Sequence, residues 1–323
     1  MDKKAQLMKI FSVQLREIIA GLPMEFSRLQ EIRLRVMGPL LIIYDNHEYM
    51  IDARGRPVTE LDRAYIVTER EIQETMTYIS NFSLYAYEDE IRQGFITIQG
   101  GHRIGVAGKI ILDQGKIRSI KYISFINIRL AHQIRGCSNR ILPHIYSKGQ
   151  LCHTIIVSPP GCGKTTILRD IIRQISDGHD GIPGCNVGVV DERSEIAACY
   201  MGVPQNDVGI RTDILDCCPK AEGMLMMLRS MAPQVIAVDE IGCREDMEAV
   251  EYVINCGCKL LATVHGNSID NLRVRPVLRR LVEEKIFERY VVLSDNGRIG
   301  NVEAIFDAYG GCVYKSNRGN LCY

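Results

Sequence analysis

One run in the 323-residue chain combines the residue types needed to grip a phosphate: Ser158-Pro159-Pro160-Gly161-Cys162-Gly163-Lys164-Thr165-Thr166. Glycines at 161 and 163 allow the backbone to curl so that successive N–H groups point at one anion. A helix starting at Lys164 or Thr165 adds its positive dipole end. Lys164 is then placed for β- and γ-phosphates and the Thr165 hydroxyl for Mg²⁺. Serine at 158, where the strict pattern has glycine, is small enough to keep the loop.

Acids stand at the ends of two apolar runs. Val235-Ile236-Ala237-Val238 leads into Asp239-Glu240, and Val189-Val190 leads into Asp191-Glu192. In a parallel sheet such ends line the crevice beside a phosphate loop. Asp239 is expected to hold the hydration shell of Mg²⁺, and Glu240 to orient or deprotonate the attacking water. A further apolar run ends at His265, which suits the sensing of a γ-phosphate. The other six histidines have no such setting.

The elements that must position these groups fall into two regions. In the first, apolar residues from Leu7 to Leu22 share one helical face, with Gly21-Leu22-Pro23 as the stop. Ile32, Leu34 and Val36 alternate with Arg33 and Arg35 as a strand does. Thr68 with Glu71 reads as a capping box opening a helix over 69–80. Two glycine turns, at Gly100-Gly101 and Gly115, join antiparallel strands between residues 94 and 128. Residues 1–134 are therefore expected to form a small α+β domain with a basic linker. Beyond it, short continuous apolar strands alternate with helices, which implies a parallel sheet covered on both faces over residues 135–323. The stretch from Ser194 to Lys220 reads as an irregular loop.

Composition sets limits on function. Hydrophobic residues are 46% and charged residues 24%, the balance of a folded globular chain. Lys plus Arg and Asp plus Glu are 39 each, which removes the simplest case for a general polyanion binder. The balance is uneven, however. From Gln114 to Arg169 there is no acid and there are nine bases, Arg129 and Arg135 among them. No apolar run approaches the roughly 18 residues of a membrane span. Lys9, Gln14 and Arg16 interrupt any signal-peptide core. The 12 cysteines lack zinc spacing and read as reduced thiols, mostly small core residues.

Together these motifs resemble the secretion-type ATPases of the RecA-like class. The phosphate loop is followed by an Asp box (Asp191 to Glu195), a Walker B segment (Arg229 through Pro233 to Glu240) and a His box (Thr263 to Gly266). A sporulation subgroup is suggested by Asp191-Glu192-Arg193-Ser194-Glu195-Ile196 and by Pro219 to Met224 leading to Arg229-Ser230-Met231-Ala232-Pro233. Glu31 to Arg35 and Ile126 to Arg129 point the same way. Two departures stand out: Asp239-Glu240 where the family has Gly-Glu, and Asp191-Glu192 where it has Glu-Asp. Which carboxylate activates water is thus open, with Glu240 favoured and Asp191 and Glu192 assisting.

The resemblance implies a RecA-like P-loop core behind the N-terminal domain, with ATP and Mg²⁺ as ligands. It implies ATP between that core and the N-domain of the same or an adjacent subunit, with Arg129 or Arg135 reaching the γ-phosphate. It further implies a cytoplasmic homo-oligomer, a hexameric ring, peripherally attached to a membrane-embedded channel between mother cell and forespore. No stable nucleic-acid partner is expected. A nucleic-acid-dependent RecA-like ATPase is the alternative, because of the basic tract.

Overall fold

The computed structural model describes residues 3–80, 90, 94–294 and 300–316. The chain divides into two units. One takes in Met1–His132 and Ala198–Gln205, the other Gln133–Ala197 and Asn206–Tyr323.

The first unit is built on a seven-stranded antiparallel sheet. Its strands are β1 (Leu29–Arg35), β2 (Leu41–Tyr44), β3 (His47–Ile51), β4 (Pro57–Val58), β5 (Phe95–Thr97), β6 (Arg103–Asp113) and β7 (Lys116–Arg129), in the order β4-β3-β2-β1-β7-β6-β5. Alternation places Ile32, Leu34, Ile104, Ile126 and Ile128 in one core with Leu15, Ile18, Ile72 and Met76 from helices. Those helices are α1 (Lys3–Met8), α2 (Val13–Ala20) and α3 (Glu69–Ile79). The first two form where the sequence periodicity predicts one. Ser12 breaks the run by accepting the Leu15 N–H and starting a new helix. The capping box at Thr68 forms as expected, with both of its reciprocal bonds.

The second unit is an α/β layer built on a mostly parallel sheet. Its strands are β8 (Thr154–Ser158), β9 (Val187–Asp191), β10 (Thr212–Asp216), β11 (Val235–Val238), β12 (Lys259–His265), β13 (Arg289–Leu293), β14 (Val302–Asp307) and β15 (Cys312–Lys315). They lie in the order β10-β9-β11-β12-β8-β13-β14-β15. The first six run parallel, and β14 and β15 close the edge antiparallel. Helices α4 (Lys164–Asp177), α5 (Lys220–Met231), α6 (Arg244–Asn255), α7 (Ile269–Arg273) and α8 (Pro276–Glu283) connect them. Strands β8, β9 and β11 are buried along their whole length, as continuous apolar runs covered on both faces must be. Gly188 in β9 is what lets α5 approach: a Cβ there would lie 2.5 Å from Met227 Cγ.

Strand β10 lies inside the segment expected to be irregular. Its Thr-Asp-Ile-Leu-Asp is only half-buried at the sheet edge, so it lacks the apolar run that marks the inner strands. The described cysteines are all free. Only Cys152, Cys162, Cys199 and Cys258 of them are fully buried, fewer than a core role for most of them requires.

Candidate functional site

Parallel strands deliver their C-terminal ends to one edge. Ser158 of β8 pairs in register with His265 of β12, and Val238 of β11 with Ala262. The site residues therefore meet because they end neighbouring strands.

The loop between β8 and α4 carries Gly161 at φ +78° and Gly163 at φ +88°. Side-chain-bearing residues rarely adopt either value. Gly163 is the N-cap of α4 and has no side chain to satisfy the first-turn amides. Nothing lies within 4 Å of where a Gly161 Cβ would be, so the cradle is open. Around it, Ser158 Oγ donates to the Pro159 carbonyl at 2.8 Å. Cys162 is buried with its thiol toward the Pro160 carbonyl. The Thr166 carbonyl receives the Cys137 thiol. Pro160 is exposed at the rim.

Lys164 is the first residue of α4 and is nearly buried. Its Nζ donates to Glu240 Oε1 and stands 3.4 Å from His265 Nε2. His265 Nε2 donates to the same Glu240 oxygen at 2.9 Å, while its Nδ1 is buried without a partner. Thr165 Oγ1 donates to Asp239 Oδ2 at 2.7 Å. Thr263 Oγ1 donates to Asp239 Oδ1, and accepts the Glu240 N–H at 2.9 Å. Glu240 sits at φ +54°, a left-handed backbone that this bond helps to hold. Burial alone would raise the Glu240 carboxyl; hydrogen bonding to Lys164 and the charges of Lys164, His265 and Arg193 outweigh it and hold the group below its usual value.

The other acids lie differently. Asp191 is fully buried, and its carboxylate accepts the N–H groups of Glu195, Ile196 and Ala197 at 2.8 to 2.9 Å. Burial pushes its carboxyl up to about 6 against the pull of these amides. Both Asp191 oxygens thus face their own turn. The Arg169 guanidinium holds the Glu195 and Ile196 carbonyls of that turn. Glu192 pairs with Lys220. Arg129 ends β7 in the first unit, 3.3 Å from Glu31, and Arg135 pairs with Asp207 at 2.7 Å in the second. These two arginines of the acid-free tract thus find their counter-charges on segments distant in sequence.

Two further contributors had no role in the sequence reading. Thr263 holds the Asp239 carboxylate and the Glu240 backbone N–H together. Arg193 NH1 donates to Glu240 Oε2 at 2.9 Å. Their signal in the sequence was only that Arg193 lies in the Asp191 to Glu195 box and Thr263 opens the Thr263 to Gly266 box. Among the described residues no three His, Cys, Asp or Glu side chains form a metal-holding cluster.

A family model described as "Sporulation stage III, protein AA" matches residues 1–313. Stage III sporulation protein AA of Bacillus subtilis (strain 168) is 37% identical over 318 residues, 98% of this chain and 99% of that protein. Among solved structures, the ATPase DotB of Legionella pneumophila superposes with a TM-score of 0.54 at 15% identity, covering 87% of this chain and 78% of that one. The pilus retraction motor PilT, solved with bound ADP, gives 0.55 at 15%, covering 88% and 77%. At such identity these two establish the fold. No helix among the described residues is long and apolar enough to cross a membrane.

Proposed function

The chain belongs to the sporulation stage III protein AA family, and from that premise we infer that it is an ATP hydrolase of the secretion type. It works as a ring-forming motor, a hexamer, that energises a membrane-embedded channel between mother cell and forespore. The observation that carries the ATPase reading is one set of contacts: Lys164 at the head of α4 on Glu240, beside Thr165 on Asp239.

A triphosphate fits the open loop, whose first-turn amides and Lys164 supply donors and positive charge. The Thr165 hydroxyl and Asp239 carboxylate are the hard oxygen donors suited to Mg²⁺, which when bound neutralises charge on the phosphates. The arriving phosphates compete with Glu240 for Lys164. Glu240, released from that cation, becomes more basic and can take a proton from water aimed at the γ-phosphorus. His265 is placed to move its Nε2–H from Glu240 to the γ-phosphate. Asp191 and Glu192 assist indirectly, by fixing the turn between them and Lys220.

The test is phosphate release by the full chain with ATP, with and without Lys164→Ala. Loss of Lys164 removes a charge-assisted contact of about 1.5–3 kcal/mol, so affinity for a fluorescent ATP analogue falls at least tenfold. Unchanged affinity would move the nucleotide elsewhere. Turnover indifferent to single-stranded DNA supports the secretion-type reading; strong stimulation favours the nucleic-acid-dependent one. A chain that stays monomeric with and without nucleotide by light scattering removes the ring.

A further inference from the structure

Glu240 is tied at both oxygens. Oε1 takes Lys164 and His265, and Oε2 takes Arg193 NH1. Three donors thus take three of the roughly four acceptor positions of this carboxylate, and neither oxygen is free of a bound donor. Phosphate binding accounts for the release of Lys164, but not for the release of Arg193.

The surroundings of Arg193 separate a fixed base from a free head. Its backbone lies in the turn that the Asp191 carboxylate ties through three amides and that Arg169 holds through two carbonyls. Ser194, the next residue, is locked at φ +52°. The side chain is 62% exposed, and NH1 to Glu240 is its one hydrogen bond among the described residues. The other guanidinium N–H groups are therefore open. Because Arg193 and Lys164 share one carboxylate, the guanidinium already stands beside the group expected to meet the β- and γ-phosphates. A terminal phosphate carries more charge than a carboxylate and offers several oxygens to a planar fork.

We propose that Arg193 is the residue by which the site distinguishes ATP from ADP: it pins Glu240 when no γ-phosphate is present and transfers to the γ-phosphate when one arrives. The transfer frees the second Glu240 oxygen at the moment a hydrolysable nucleotide is in place. With ADP there is nothing to draw Arg193 away, and Glu240 stays pinned. This inference rests on the nucleotide reading of the Lys164 loop.

The experiment measures affinity rather than turnover. In full-length chain carrying Glu240→Gln, so that ATP persists, the binding of fluorescent ATP and ADP analogues is titrated with and without Arg193→Ala. ATP affinity is expected to fall about tenfold to a hundredfold, the loss of one charge-assisted pair, while ADP affinity changes less than about threefold. Arg193→Lys, which keeps the charge without the fork, should lie between. An equal loss for both nucleotides, or no loss for either, overturns the assignment. A side chain that merely braced the turn would change unfolding temperature and leave the ATP-to-ADP ratio alone. If the Glu240→Gln chain binds neither nucleotide, or binds both regardless of Lys164→Ala, the underlying site reading fails and Arg193 falls with it.

Discussion

Replacing Glu240 with Gln should slow turnover and tighten nucleotide binding at once, because the proposed mechanism gives that carboxylate two opposed tasks. As a base it must accept a proton, and an amide cannot; the expected loss is roughly 10²–10⁴ in kcat, about 3–5 kcal/mol of barrier. As an ion-pair partner it occupies Lys164, whose side chain is only 10% exposed against 21% for Glu240. A hydrogen bond between charged groups so shielded is worth about 1.5–3 kcal/mol net, and every binding event must break it. The amide offers Lys164 a neutral oxygen in its place. About half of the cost should vanish, about 0.7–1.5 kcal/mol, so the affinity for ATP should rise about threefold to tenfold. Titration with a fluorescent ATP analogue and steady-state phosphate release on the same preparation read both quantities. If Glu240→Gln turns over normally while Asp191→Asn or Glu192→Gln is inactive, Glu240 is not the water-activating carboxylate. If turnover is lost but affinity is unchanged or weaker, the Lys164–Glu240 pair is not what nucleotide displaces.

Thr263→Val keeps the shape of a fully buried side chain while leaving Asp239 and the Glu240 N–H each short of a partner. Stability should drop by about 1–3 kcal/mol, and kcat should fall further than ATP affinity; a wild-type kcat in the destabilised variant would make the hydroxyl purely structural. His102 is fully buried, and its Nδ1 accepts the Ala131 N–H. Burial, with the nearby charges of Lys3 and His132, lowers it to about 4 from the usual 6.5. A base depressed on folding stabilises above its unfolded value and loses that contribution as pH falls from about 6.5 to 4, here about 3 kcal/mol in full. Urea unfolding across that window should be steeper in pH for the wild type than for His102→Gln, and parallel curves would refute the assignment. Arg129→Ala is expected to bind ATP nearly normally and hydrolyse it at least tenfold more slowly, about 1.4 kcal/mol of transition-state stabilisation; wild-type turnover would leave the arginine as the partner of Glu31 alone.

Local chemistry made several elements readable. The α3 capping box and the glycine turns are complete within a few residues, and so was the order of strand and helix around Lys164. What was not readable depended on partners distant in sequence. The break between α1 and α2 turns on whether Ser12 caps or continues a helix, which periodicity does not decide. Strand β10 is defined by pairing with β9, since its own residues carry no apolar run. The bases at Arg129 and Arg135 stood in a tract without acids, yet Glu31 and Asp207 reach them from β1 and from the segment after Gln205. A local charge count misses such pairs because folding, not sequence distance, sets who neutralises whom.

The two acidic strand ends show the same limit inside the site. Val-Val-Asp-Glu at 189 to 192 and Ala-Val-Asp-Glu at 237 to 240 are nearly the same motif, so the sequence left the water-activating carboxylate open. Sheet order separates them. Strand β11 lies two places from β8, and β9 lies three. At about 4.8 Å per strand, that sets Asp239-Glu240 roughly 10 Å from the phosphate-loop strand and Asp191 roughly 14 Å away. A glutamate and a lysine reaching toward each other close the first gap, and the Lys164–Glu240 bond does so. An aspartate at the greater distance has a shorter arm and nearer partners. Asp191 spends both oxygens on the turn that carries Arg193. One strand end therefore supplies a group that reaches the lysine of the glycine loop directly. The other supplies the anchor for an arginine that meets the first, so the Asp box acts on Glu240 through Arg193.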